Sequence, residues 1–170
     1  MRGLADHPLA AFSAWLETTP LSHLLQTVDW LIPAIQTLHI LCVALVISSV
    51  LMLVLGVFGL HGREQPLART FARFLPGLSV GVAVLLVSGA LMIAAEPDRS
   101  LPNPVFQLKM ALLVAAAVLT LVNARRLRRL APAGIGAVRD ARMRIVATLS
   151  LVLWLGVLVA GRWIAYSLSR

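Results

Sequence analysis

Three basic or imidazole side chains interrupt the long apolar stretches of this 170-residue chain: His39, Lys109 and Arg162. An ionisable group inside a membrane-length apolar segment is costly to hold there, so each marks a candidate site. Imidazole ligates iron and other transition metals, and ammonium and guanidinium groups bind carboxylates. No acidic residue lies inside those stretches, and Glu96 at the rim of one is the nearest candidate to neutralise them. This surplus of buried cation is the strongest functional signal in the sequence. A b-type heme would answer it, with an iron for His39 and two propionates for Lys109 and Arg162.

The elements that must position these groups follow from composition. The chain is 59% hydrophobic and 13% charged, with a mean hydropathy of +0.90, which excludes an ordinary soluble domain. Four apolar stretches are long enough to cross a bilayer: 30–60, 74–95, 105–122 and 145–166. The expected fold is all-α, an integral membrane four-helix bundle forming a single domain over 1–170. Residues 8–26 are too short and polar to span. Leu9, Phe12, Trp15 and Leu16 recur at helical spacing there, which predicts an amphipathic interfacial helix broken near Pro20. Asp6 and Glu17 fall where a cleaved signal would be basic and then apolar, so no secretory signal is expected. The single cysteine, Cys42, lies in the first span and excludes an intrachain disulfide.

The net charge of +8 raises nucleic acid as a partner, but the charges sit in short loops between spans, so a lipid bilayer is expected instead. Ten arginines (63, 69, 73, 125, 126, 128, 129, 139, 142 and 144) occupy the first and third connections. The opposite side holds five of the seven acidic residues. The positive-inside rule then places the basic connections in the cytoplasm and both termini in the periplasm of a bacterial inner membrane. At ~1.5 Å per residue, His39 lies ~14 Å, Lys109 ~8 Å and Arg162 ~6 Å below the outer surface. Three spans thus bring their basic groups into the same half of the membrane, and bundle cores are usual places for cofactors.

Competing readings stay open. Lys109 and Arg162 both sit near span ends, where they can snorkel to the surface. His39 shares a helical face with Gln36 and Cys42 and can hydrogen-bond Gln36 or a neighbouring backbone instead of a metal. A second axial imidazole would have to come from His23 on the interfacial segment, with His7 further out and His61 at the wrong end. Met92 and Met110 fall near the depth of Lys109. Either can be a sixth iron ligand or can complete a copper site with His39, although methionines in apolar helices usually only pack. Tyr166 shares the face of Arg162 and either reaches the same ligand or is an interfacial aromatic. Thr120 and Asn123 continue the Lys109 face and suit either a polar track or helix–helix hydrogen bonds. Gly77, Gly81 and Ser88 form a small-residue face for close helix approach. The run Arg125–Arg129 reads as a topology determinant that contacts anionic lipid. No Ser-His-acid set and no phosphate-binding glycine loop is present.

The segments WLIPAIQTLHIL, RFLPGLSVGVAVLLVSGALMIAAEP, NPVFQLKMALLVAAAVLTLVNARR and WLGVLVAGRWIAY together resemble an uncharacterised family of small bacterial four-span membrane proteins. The resemblance covers most of the chain and singles out Pro33, His39, Gly89, Lys109, Gly161, Arg162 and Tyr166. More distantly, the layout is similar to the membrane domains of copper-resistance D (CopD) proteins, through an early-span histidine and the Lys109…Asn123-Ala124-Arg125 pattern. It is also similar to HemJ-type protoporphyrinogen oxidases, whose functional histidine and lysine would correspond to His39 and Lys109. The chain lacks the aromatic- and arginine-rich first-span end of the HemJ type and the dense Met/His set of a copper path. The leading expectation is therefore a b-type heme protein working in electron transfer, or as a redox subunit with a membrane or periplasmic partner. CopD-like copper or small-solute handling is the alternative. A third class is an accessory subunit whose buried polar groups only set helix packing. Association with a second copy is open.

Overall fold

The computed structural model describes residues 10–61, 66–97, 101, 103–130 and 141–167. They are all-helical: α1 (Ala10–Glu17), α2 (Pro20–Thr27), α3 (Leu31–Phe58), α4 (Leu67–Ala95), α5 (Pro104–Leu130) and α6 (Ala141–Ser167). The last four contain apolar windows long enough to cross a membrane and form the expected four-helix bundle. In lipid each helix must satisfy its own backbone, so hydropathy alone locates such elements. We refer to the two ends of the bundle by His39, near the start of α3, and Phe58, at its end.

The interfacial segment is two helices. Thr19 ends the first and caps the second: its hydroxyl donates to the Leu16 carbonyl at 2.7 Å and accepts from the Ser22 N–H at 3.3 Å. Pro20 then occupies the first turn of α2, where its missing N–H costs nothing. The break therefore lies at the Thr18–Thr19 pair, with proline opening the next helix. α2 is tied down by Gln26, whose side-chain amide donates to the Ala95 carbonyl at 2.9 Å and so satisfies an orphan group at the end of α4. Leu25, Ala94 and Ala95, with Leu31, Ile35 and Leu91 against them, make a small core beneath it.

α3 stops at Gly59, the described residue with positive φ (73°). Its left-handed conformation lets the Leu60 N–H reach back to the Leu55 carbonyl at 2.9 Å. α4 starts at Leu67, so Arg69 and Arg73 ride on its first turns and are not in a loop. The arginines at 125 and 126 are likewise helical, and so are those at 142 and 144. The helices run past their apolar windows because backbone hydrogen bonding does not stop at the membrane boundary. Arg63, Arg139 and the terminal arginines lie outside the described residues.

α3 packs chiefly on α4, and α5 on α6, giving two helical hairpins. The hairpins meet mainly where α3 faces α6, while α4 and α5 barely touch. The small-residue face of α4 turns to α3 as its spacing predicts. A Cβ built on Gly81 would stand 2.8 Å from Val46 Cγ2 and 3.7 Å from the Cys42 carbonyl oxygen. The main core, including Val46, Val50, Val57, Phe71, Met143 and Trp154, lies in the half toward Phe58. Toward His39 the packing thins: over residues 104–115 of α5 no side chain is buried.

Candidate functional site

His39 lies about two turns into α3, half-buried against α4. Its Nδ1 is 2.8 Å from the Ser88 hydroxyl. That hydroxyl also reaches the Val84 carbonyl at 2.7 Å, and a carbonyl can only accept. The single hydroxyl hydrogen is thus committed to Val84, so Ser88 must accept from His39. Nδ1 therefore carries the ring hydrogen, and in the neutral imidazole Nε2 keeps the lone pair. This is how proteins orient metal-ligating histidines, by bonding one ring nitrogen and presenting the other. Gly89 is next to this pair, and a Cβ built there would contact His39 Cε1 at 3.7 Å.

Lys109 repeats the arrangement in the second hairpin. It is half-buried on α5, and its stem and ammonium lie over Gly161 of α6: a Cβ there would be 3.5 Å from both Cε and Nζ. Each hairpin thus lays one basic side chain across a glycine of its partner helix. The structure brings His39 together with Ser88 and Gly89 in the first hairpin, and Lys109 together with Gly161 in the second.

Other candidates are placed differently. Gln36 is exposed one turn before His39, and Cys42 is buried one turn after it, so their common face turns inward only as α3 descends. Arg162 is exposed, one position beyond the glycine that carries Lys109. The side chain of Tyr166 lies outside the described residues, and so does His7. His23 is exposed on α2, and His61 is exposed beyond the other end of α3. Met92 and Met110 are half-buried at the His39 end. Among the described residues no three His, Cys, Asp or Glu side chains cluster as a metal set.

Thr120 belongs to a separate polar group. Its hydroxyl lies 3.0 Å from that of Ser150, accepts from the Trp154 indole N–H at 3.2 Å and donates to the Ala116 carbonyl at 2.8 Å. These side chains tie α5 to α6. Asn123, one turn further, is buried beside a cavity of about 20 Å³ where all four long helices meet.

Sequence reading did not identify Ser88 as the partner of His39, although both lie about two turns from the same end of the bundle. That equal depth was the available signal.

Residues 12–167 match a family described as a family of unknown function, DUF6644. The chain belongs to that family. No curated protein matches the chain, and no solved structure does. Family membership thus supports the uncharacterised four-span resemblance, while the likeness to CopD and HemJ proteins rests on the quoted motifs alone.

Proposed function

We propose that this member of the family is a b-type heme-binding membrane protein, acting in electron transfer or as the heme-bearing subunit of a membrane oxidoreductase. The observation that carries the reading is the hydrogen bond from His39 Nδ1 to Ser88. It fixes the tautomer and ring orientation that an axial ligand needs and leaves Nε2 for iron. Gly89 and Gly161 make room for the two basic side chains themselves, and the start of α5 buries nothing. Lys109 supplies a cation without a protein carboxylate inside the spans to neutralise it, and it serves as the propionate partner. Arg162, next to Gly161 on α6, extends the propionate side toward the membrane surface, and Tyr166 follows it by one turn in the same helix.

In this reading His39 and Lys109, one from each hairpin, would hold the heme at the end of the bundle that the distribution of arginines assigns to the periplasm. It supplies a one-electron couple. Ser88 holds the imidazole, Lys109 holds charge, and α2, tied to Ala95, covers that end. The decisive experiment is an absorption spectrum of the detergent-purified protein, oxidised and dithionite-reduced, from cells supplied with heme, beside His39→Ala. A Soret band with reduced α and β bands, lost in the variant, is the expected result. A colourless wild-type protein would overturn the proposal, and stoichiometric copper in that preparation would support the copper alternative through His39, Met92 and Met110.

A further inference from the structure

At the opposite end of the bundle, α6 presents a second surface that the heme reading does not use. Ile145, Thr148, Leu149 and Val152 recur at i, i+3, i+4 and i+7, the spacing of a single helix stripe. This stripe faces away from the bundle: Ile145, Leu149 and Val152 are 67%, 47% and 56% exposed. With Phe58 of α3 and Arg144 it lines an open groove of about 420 Å³. The stripe runs ~10 Å along the helix from Arg144 into the apolar window.

Arg144 stands at the polar end of this groove. Its guanidinium carbon lies 6.0 Å from the centre of the Phe58 ring, a cation–π placement that orients the group and leaves its N–H edges free to donate. Among the described residues the carboxylates are Glu17, Asp29 and Glu96, all at the His39 end; Glu64 and Asp140, in the two connections at the Phe58 end, lie outside the described residues and are outnumbered there by ten arginines. The groove therefore combines a membrane-facing apolar channel with a positioned cation at headgroup level.

We propose that this groove is a binding site for an anionic phospholipid, with one acyl chain along Ile145–Val152 and the headgroup phosphate on Arg144. Charge decides between this occupant and a second copy of the chain. A two-fold contact on this face would bring the two Arg144 side chains into one patch, where like charges out of water repel. A phosphate brings the complementary charge, and arginine matches it through paired N–H donors.

Native mass spectrometry of the full-length protein, taken from mixed phosphatidylglycerol and phosphatidylcholine nanodiscs, tests the site. The wild type is expected to retain phosphatidylglycerol in preference to phosphatidylcholine. Arg144→Gln should lower that preference roughly five-fold, from one lost cation–phosphate contact near the surface. Leu149→Trp, which fills the groove, should reduce retention of both lipids. Arg69→Gln, exposed on the first turn of α4 and outside the groove, should leave the preference unchanged. Equal retention by Arg144→Gln and wild type would overturn the proposal. So would an equal loss in Arg69→Gln, because charge would then act without a site. Efficient disulfide cross-linking of Thr148→Cys between copies in native membranes would also overturn it, in favour of a dimer contact.

Discussion

The two halves of the bundle treat buried polar groups in opposite ways. Toward Phe58, Thr120, Ser150 and Trp154 are almost fully buried and bonded to one another, within a core to which all four long helices contribute. Toward His39, the two basic groups are half-buried although Ser88 is buried, and the hydrogen bonding is incomplete: one imidazole nitrogen is held and the other is presented. A satisfied polar cluster in a dry core specifies helix packing. A basic pair left half-buried in thin packing is where a bound group would complete the hydrogen bonding. This contrast is why one cluster is read as structure and the other as a site.

The contrast is sharpest when each half is broken in turn. His39→Ala should abolish heme binding while the protein still elutes as a folded species, because the ring is only half-buried and Ser88 keeps its bond to Val84. Heme retained by the variant would remove His39 as ligand. Trp154→Ala should do the reverse. It should cost about 3–5 kcal/mol of stability, as for a large buried aromatic, yet leave heme content per folded molecule unchanged. Thermal unfolding in detergent together with the Soret absorbance separates the two effects. Selective loss of heme in this variant would show that the halves are coupled.

Ser88→Ala is a smaller perturbation within the site. Loss of an orienting hydrogen bond to a ligating histidine typically weakens binding 10–100-fold, with a shifted midpoint potential in what remains. Spectral titration with heme and redox potentiometry would read both, and an unchanged potential would make the Ser88 contact incidental. The smallest effect is expected at Asn123, which is 5% exposed and whose amide no protein group among the described residues bonds. Asn123→Leu should leave stability within about 1 kcal/mol of wild type or raise it, since it removes a buried polar group that lacks a partner. A loss above about 2 kcal/mol would show instead that the amide is satisfied, by a water in the adjoining 20 Å³ cavity.

How much of this was legible in the sequence depends on whether a feature is local. The break just before Pro20 and the helix stop at Gly59 follow from residue types with restricted or left-handed backbones, with Pro20 opening the second helix instead of ending the first. The small-residue face of α4 was readable from spacing, and it does meet α3. That His39 and Lys109 lie in the same half of their spans was readable by counting from span ends. The role of Arg162 was harder to read: a count along the helix gives its depth but not its direction, and in the fold Gly161 receives Lys109 while Arg162 is exposed.

By itself the sequence determined that four helices cross a membrane, which ends carry positive charge, and which few ionisable groups lie inside. Each of these depends on one segment meeting lipid, where a helix must satisfy its own hydrogen bonds whatever its neighbours do. Only the tertiary structure decided that Ser88 accepts from His39, that Lys109 lies over Gly161, and that Thr120 bonds Ser150 and Trp154. Those contacts join different helices. They depend on how far each helix is rotated and on how closely glycines let it approach its partner, and no single segment contains that information.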